Sequence, residues 1–219
     1  MKRMKGCGKL TGTVHVEGLR IGGEPAGLEI GASVDLSALR DPVTQHPYIP
    51  GSSLKGRLRA MLEREAGKSS ERGGPCDCGN MDCNICLIFG AHRTGAPSAP
   101  TRIVVRDAHL TPESAARFKE LAAEGKSFFE EKAESQVRRD SGEAKEPRWQ
   151  ERVWEASFRL EILLHVYQDD NPEELMKYLR HGLGLIQETG SLGAGGSRGS
   201  GRVKFEVEEE WLKMSEITV

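Results

Sequence analysis

Four cysteines fall within eleven consecutive residues of this 219-residue chain, in the segment CDCGNMDCNIC at positions 76–86. Structural zinc sites take four sulfur or nitrogen ligands in a tetrahedron, and closely spaced cysteines supply such ligands from one loop. A thioredoxin-type redox site would need only two cysteines at a strand-to-helix junction. We therefore predict a structural zinc site, because four cysteine ligands leave no open position for catalysis. The predicted ligands are Cys76, Cys78, Cys83 and Cys86.

The alternative for this segment is a set of four reduced thiols without metal, and His92 is a candidate substitute ligand. Disulfides are not expected, because they are rare in reducing compartments. No run of residues approaches the ~20 apolar positions that a membrane span needs. The basic N-terminus also lacks the apolar stretch of a signal peptide. We therefore expect a cytoplasmic protein that has no membrane partner.

Two basic stretches without acidic residues stand out against a net charge of −2. Residues 51–62 form the first stretch and residues 190–204 the second, and both contain glycine and serine. The low net charge counts against a general affinity for nucleic acid. Local basic patches of this kind nevertheless favour the binding of an extended anion.

The pattern of apolar residues predicts a chain that alternates strands and helices. Strands are predicted over 9–18, 101–110, 151–168 and 201–211, and helices over 50–68, 111–125 and 171–190. Ser52 or Ser53 is the expected cap of the first helix. Residues 128–152 are highly charged and predict an exposed hairpin or a flexible arm.

This order predicts an α+β fold that approximates a ferredoxin-like, RRM-like sheet. We expect one domain over residues 1–219 with three insertions, at 18–50, 72–92 and 128–152. The first is a long loop, the second contains the cysteines, and the third is the charged arm.

Five segments, taken in order, resemble the RAMP superfamily of CRISPR proteins. They are LRIGGEPAGLEIGASVDLSALRDPVTQHPYIPGSSLKGRLRAMLE (19–63), CDCGNMDCNICLIFG (76–90), TRIVVRDAHL (101–110), ESQVRRDSGEAKEPRWQERVWEASFRLEI (134–162) and GLGLIQETGSLGAGGSRGSGRVKFE (182–206). Together they are most similar to the repeated backbone subunit of type III (Csm-type) effector complexes.

The resemblance implies an RRM-like domain with helices on one face of its sheet. Several copies would stack along a CRISPR guide RNA, bound independently of its sequence, beside other subunits of the complex. The segment 72–92 would be a zinc knuckle, 18–50 a catalytic loop and 128–152 a thumb hairpin that interrupts the duplex with a complementary target RNA. Cleavage of the target at regular intervals would need Mg²⁺ or another divalent metal.

The resemblance also implies roles for single residues. Asp35 matches the catalytic aspartate of the family, whereas an aspartate in such a loop is otherwise most often a turn residue. Asp41, which precedes Pro42, is expected to stay structural. The other candidates would bind RNA: Ser52, Ser53, Lys55, Arg57 and Arg59 in the first helix, Arg138, Arg139 and Trp149 in the arm, and Gly193, Gly195, Gly196 and Arg198 in the glycine-rich loop.

Three other functions stay open at this point. The chain could be an RNA-binding scaffold of the same superfamily without catalytic activity. It could be a guide-RNA processing endonuclease, which would use a histidine near the first helix, and His46 is the candidate. It could also be a zinc-knuckle protein unrelated to CRISPR. For the basic helix, the arm and the glycine-rich loop, the plain alternatives are a capped helix, a solvated hairpin and a flexible linker.

Overall fold

The computed structural model describes residues 3–22, 34–68, 73–80, 82–91 and 100–216. Its strands are β1 (Met4–Leu19), β2 (Tyr48–Ile49), β3 (Ile103–Val105), β4 (Ala108–His109), β5 (Phe129–Glu134), β6 (Arg148–Tyr167) and β7 (Arg202–Lys213). Its helices are α1 (Gly51–Glu65), α2 (Asn84–Phe89), α3 (Pro112–Ala123) and α4 (Pro172–Thr189). Most of the predicted catalytic loop before Asp35, together with His92, lies outside the described residues.

A mixed α+β architecture with an antiparallel sheet confirms the predicted class. The strands follow the order β3-β6-β1-β7, and β5 pairs with the outer part of β6. Alternate residues of β1 and β6, such as Leu10, Val14 and Phe158, are fully buried, because one face of the sheet is covered. In the described chain, no helix has both the length and the apolar character needed to cross a bilayer.

Helices α1 and α4 pack together over this apolar face. The buried residues of α1 recur at helical spacing, as predicted, and those of α4 do the same. Gly182 of α4 allows the two helices to approach closely, since a Cβ atom there would lie 2.6 Å from Leu58 of α1. The side chains that fill this layer are Leu54, Leu58, Leu62, Leu175, Leu179, Leu183 and Ile186.

The prediction of one strand over 101–110 is wrong, and so is the prediction that Ser52 or Ser53 caps α1. The strand divides into β3, which pairs with β6, and β4, which pairs with β2. Asp107 lies between them, and its Oδ1 accepts a hydrogen bond from the Gly51 N–H at 2.7 Å. Ser52 and Ser53 therefore do not cap the helix, because a residue from another part of the chain satisfies its first N–H group.

The charged arm is a β-hairpin continuous with the sheet. Strand β5 pairs with β6 from Phe129 opposite Val153 to Glu134 opposite Arg148, and Val137 bridges Ala144 near the tip. The return strand begins at Arg148, earlier than the predicted residue 151, since β5 extends the ladder. A single strand of 20 residues thus joins the arm to the centre of the fold.

Candidate functional site

The cysteine cluster brings all four predicted ligands together. Their Sγ atoms lie within 4.8 Å of one another. The distances from Cys76 to Cys78, from Cys78 to Cys86 and from Cys86 to Cys76 are 3.7, 3.5 and 3.7 Å. A tetrahedral ion with Zn–S bonds of about 2.3 Å requires S···S distances of about 3.8 Å. The cluster therefore has the size and the donor set of a four-cysteine metal site.

The close packing of the thiols shifts their pKa values in opposite directions. Burial raises the pKa of Cys83, but hydrogen bonds from the Cys86 N–H, from Cys78 and from Lys68 outweigh it and lower that pKa to about 7. Burial and the neighbouring thiols Cys78 and Cys76 raise the pKa of Cys86 to about 12. Four adjacent thiols cannot all ionise without a positive charge between them, and a metal ion supplies that charge.

Helix α1 supports this cluster through Arg59 and Glu63. The Glu63 Oε1 atom accepts hydrogen bonds from the Cys76 N–H at 2.9 Å and from Arg59 Nε at 2.7 Å. Arg59 Nη2 in turn donates to the Cys76 carbonyl at 2.7 Å. Arg59 is therefore part of the support for the cluster, and only 10% of its side chain is exposed. Its RNA-binding role stays a prediction that this environment disfavours.

We expect Glu63→Ala to destabilise the protein by about 3 kcal/mol, because it leaves Arg59 buried without its carboxylate. Denaturant unfolding of the variant checks this value. Glu65→Ala is the matched control, since Glu65 belongs to the same helix but forms an exposed pair with His181. It should change the free energy of unfolding by less than about 1 kcal/mol. Equal effects of the two variants would contradict the supporting role of Glu63.

The predicted catalytic residue, Asp35, lies beside β6, the return strand of the hairpin, and pairs with Trp149 of that strand. Its N–H donates to the Trp149 carbonyl at 2.9 Å, and its Oδ2 atom accepts from the Trp149 N–H at 2.7 Å. Leu36 then bridges Gln150 in parallel. The pairing of β1 with β6 ends at Val153. Residues 35–36 therefore pair with the next part of the same edge of β6. For Asp35 Oδ1, the described residues provide no hydrogen bond.

Asp35 lines an open groove of about 1130 Å³ between the hairpin and the glycine-rich loop. Five basic and three acidic side chains line it, so the groove is locally positive in a chain with a net charge of −2. The basic residues are Arg20, Lys132, Lys145, Arg148 and Arg198, and the acidic ones are Asp35, Glu134 and Glu146. The groove thus combines one predicted catalytic residue with predicted RNA-binding residues from the arm and the loop.

Glu134 of β5 connects three parts of this groove. Its Oε1 atom is 3.1 Å from Arg20 Nη1, and its Oε2 atom is 3.1 Å from Arg198 Nε. Gln150 Nε2 approaches the same carboxylate at 3.5 Å. Burial raises the pKa of Glu134, but the two arginines outweigh it and hold the pKa below its usual value. Glu134 is therefore a carboxylate anion that binds two guanidinium groups.

The glycine-rich loop is packed on the end of β1. The Ala194 N–H donates to the Arg20 carbonyl at 2.9 Å. Gly193 has a φ of +76°, and a Cβ atom there would lie 2.2 Å from the same carbonyl. The described geometry thus gives this glycine a packing role, and the RNA contacts of Gly193, Gly195 and Gly196 stay predictions.

The basic face of α1 lies next to this loop. Ser52 and Ser53 are exposed, while Lys55 and Arg57 are half-buried. Arg57 Nη2 is 3.5 Å from Ser191 Oγ, which links the helix to the start of the loop. Burial, followed by the charge of Arg59, lowers the pKa of Lys55. The structure therefore brings two of the predicted RNA-binding regions together.

The hairpin tip is more exposed than the groove. Arg138 pairs with Asp140 at 2.8 Å, and Arg139 is exposed. Trp149 is 43% exposed, a high value for a tryptophan.

His46 lies elsewhere, in a pocket of about 300 Å³ that also contains His109 and Arg159. Its ring packs against Phe118 and does not line the Asp35 groove.

Sequence reasoning missed Arg20, Glu63 and Glu134. All three lie within segments to which the sequence assigns a role, but no local sequence pattern marks the residues themselves as functional. Glu134 meets Arg20 across 114 positions of the chain, so only the folded structure reveals the contact. An isolated glutamate in a charged arm gives no indication of a buried ionic role.

Comparison with known proteins gives consistent matches. A family model described as the RAMP superfamily matches residues 15–204. A protein from Methanothermobacter thermautotrophicus, named CRISPR system Cms endoribonuclease Csm3, is 40% identical over 86% of this chain and 79% of its own length. A protein of the same name from Methanocaldococcus jannaschii is 37% identical over 92% of this chain and 79% of its own length.

Solved structures agree with these matches. A chain in the crystal structure of the Csm3–Csm4 subcomplex of the type III-A CRISPR-Cas interference complex has a TM-score of 0.62 and 28% identity. The match covers 97% of this chain and 83% of that one. The crystal structure of Methanopyrus kandleri Csm3 has the same TM-score at 23% identity, covering 94% of this chain and 76% of that one, and supports the fold alone.

Proposed function

The chain belongs to the RAMP superfamily, and on that premise we propose that it is the repeated backbone subunit of a type III CRISPR effector complex. It binds the guide RNA together with further copies of itself and with other subunits. It is an endoribonuclease within that complex and cleaves complementary target RNA at regular intervals. We place this activity in the cytoplasm, where the cysteine thiols stay reduced.

The sheet belongs, in this proposal, to the ferredoxin-like class. Its four main strands are connected as strand, helix, strand, strand, helix, strand once the insertions are set aside. The antiparallel order β3-β6-β1-β7 supports this assignment, because the first and third main strands occupy the centre. The cysteine loop, the hairpin and the segment before α1 are insertions that surround this sheet.

The contact between Asp35 and Trp149 carries the proposed location of the cut. It fixes a carboxylate beside the hairpin, inside a groove lined by more basic than acidic side chains. A hairpin that separates guide from target would leave a target nucleotide unstacked at this position, and Trp149 is exposed enough to stack on it. Guide RNA would run along the basic face of α1 and along the backbone of the glycine-rich loop, because cations and free N–H groups suit phosphates.

Two metals enter this proposal. Zinc would be held by Cys76, Cys78, Cys83 and Cys86 as a structural ion. A divalent ion for cleavage would be held by Asp35 together with RNA phosphates, since Mg²⁺ often binds proteins through one or two carboxylates. When bound, that ion supplies positive charge to the phosphate under attack. Trp149 positions Asp35 by donating its N–H to one carboxylate oxygen.

The chemical step would be attack by a ribose 2′-oxygen on its own phosphate. A P–O bond to the 2′-oxygen forms, and the P–O bond to the next nucleotide breaks. The 2′-hydroxyl loses its proton, and the departing 5′-oxygen gains one. The products are a cyclic phosphate and a 5′-hydroxyl, so no oxidant or second substrate is needed.

Reconstitution of the complex with guide RNA and a labelled complementary target tests the function. In the presence of Mg²⁺ we expect several products whose lengths differ by a constant number of nucleotides. Such a ladder is expected because identical subunits stacked along one guide would each make one cut. A non-complementary target is the control and should stay intact. Guide-directed binding of the complementary target without any cleavage would refute the nuclease assignment and leave a scaffold.

A further inference from the structure

The charge balance around Glu134 singles out Arg198. Arg20 has a side chain only 9% exposed, and it neutralises the Glu134 carboxylate from the protein side. Arg198 binds the other oxygen of that carboxylate with a side chain that is 57% exposed. The three groups together carry one net positive charge, and the exposed member is Arg198. The arrangement therefore presents an uncompensated guanidinium to the groove that contains Asp35.

The donor geometry of Arg198 fits the same conclusion. A guanidinium has five N–H donors in a rigid plane. Arg198 Nε lies 3.1 Å from Glu134 Oε2 in an ion pair, and no described residue accepts a hydrogen bond from either Nη atom. Paired Nη donors match two oxygens of a phosphate. Because the ion pair keeps Arg198 next to Glu134, its Nη donors stay at the groove and available to a ligand.

We propose that Arg198 binds the scissile phosphate of the target RNA and that Glu134, backed by Arg20, positions Arg198 for this contact. This inference rests on the proposed nuclease function and assigns residues within the same groove. Arg198 would stabilise the negative charge that grows on the phosphate oxygens during attack. Glu134 does not touch RNA in this proposal and acts only through Arg198.

The test is single-turnover cleavage of target RNA by the reconstituted complex, with parallel measurement of target binding. Arg198→Ala should slow cleavage about 100-fold, the usual effect of removing one charge-stabilising donor. Binding should weaken by no more than about tenfold, because one phosphate contact among many is lost. Added guanidinium ion, well below unfolding concentrations, should restore part of the rate in this variant only. Cleavage by Arg198→Ala at the wild-type rate would overturn the proposal.

A double variant tests the positioning role of Glu134. Glu134→Gln should slow cleavage about tenfold in the wild-type background, since the amide holds a guanidinium less firmly. It should not slow the Arg198→Ala variant any further, because residues that act as a unit are not additive. If Glu134→Gln slows the Arg198→Ala variant by the same factor as it slows the wild type, Glu134 has a merely structural role. That result would overturn this part of the proposal.

Arg180→Ala provides the matched control. Arg180 on α4 is 52% exposed and binds Glu209 through Nε at 2.9 Å, which reproduces the environment of Arg198 outside the groove. Its removal should leave cleavage unchanged.

Failure of this inference is distinct from failure of the nuclease function. A wild-type complex that binds target without cutting it refutes the function, whereas normal cutting by Arg198→Ala refutes only the inference.

Discussion

Replacing Asp35 with asparagine should strongly slow target-RNA cleavage while leaving RNA binding intact. The amide oxygen of asparagine can still accept the hydrogen bond that the Trp149 N–H donates to Asp35 Oδ2. The segment should therefore stay on the edge of β6. The charge is lost, and with it the ability to hold a divalent ion or to accept a proton. We expect cleavage to slow about 1000-fold, within the range for loss of one such group.

The measurement is a cleavage time course at saturating complex, together with target affinity by filter binding. Asp41→Asn is the matched control, because Asp41 lies six residues further along the same segment. Its Oδ1 atom closes a turn by accepting from the N–H groups of Val43 and Thr44. Asparagine supports that turn equally well, so this variant should cut normally. Cleavage by Asp35→Asn at the rate of the control would show that Asp35 is only a loop residue.

Loss of one cysteine ligand should have the largest effect on stability. Cys86 is buried, and its Sγ lies within 3.7 Å of both Cys76 and Cys78. In Cys86→Ser a hydroxyl replaces a thiolate that zinc binds strongly. Structural zinc binds zinc-finger peptides with roughly 10 kcal/mol or more of free energy. A loss of several kcal/mol is thus expected here, because the loop that bonds to Arg59 and Glu63 through Cys76 would come free.

Metal analysis of the purified protein and denaturant unfolding check this expectation. The wild type should contain about one zinc ion per chain and the variant far less. Cys7→Ala is the control, since Cys7 is buried in β1, away from the cluster. It should keep its zinc and lose little stability. A full complement of zinc in Cys86→Ser, or unfolding that does not respond to a chelator, would contradict the structural metal.

Periodicity was a good guide wherever one face of an element is buried. The long strands β1, β6 and β7 and the helices α1 and α4 follow from alternating or helical apolar patterns, because burial alone selects them. The cysteine cluster was equally accessible, since all four ligands come from one short segment. The class of fold and the cysteine cluster therefore needed no information from distant parts of the chain.

The remaining features depend on contacts between distant residues. Asp107 interrupts a strand-like run, and its side chain accepts a hydrogen bond from the first N–H group of α1, 56 positions away in the chain. Arg59 looks like a surface cation in its helix, yet the cysteine loop folds over it. Glu134 is one acid among many in the arm, and only the approach of Arg20 and Arg198 gives it a role. Local patterns carry no record of such partners.

The position of β1 in the sheet has a consequence for how the protein is made. The first strand of the chain lies between β6 and β7, so Leu19 pairs with Val153 and Cys7 pairs with Leu212. Pairing residues this far apart in the sequence is slow, because the long stretch of chain between them must first close into a loop. Local contacts cannot replace these pairs. A nascent chain must carry β1 with both edges unpaired until β6 has left the ribosome, and with one edge unpaired until β7 follows. Synthesis therefore includes an interval in which the unpaired edges of β1 can pair with other chains, which favours aggregation.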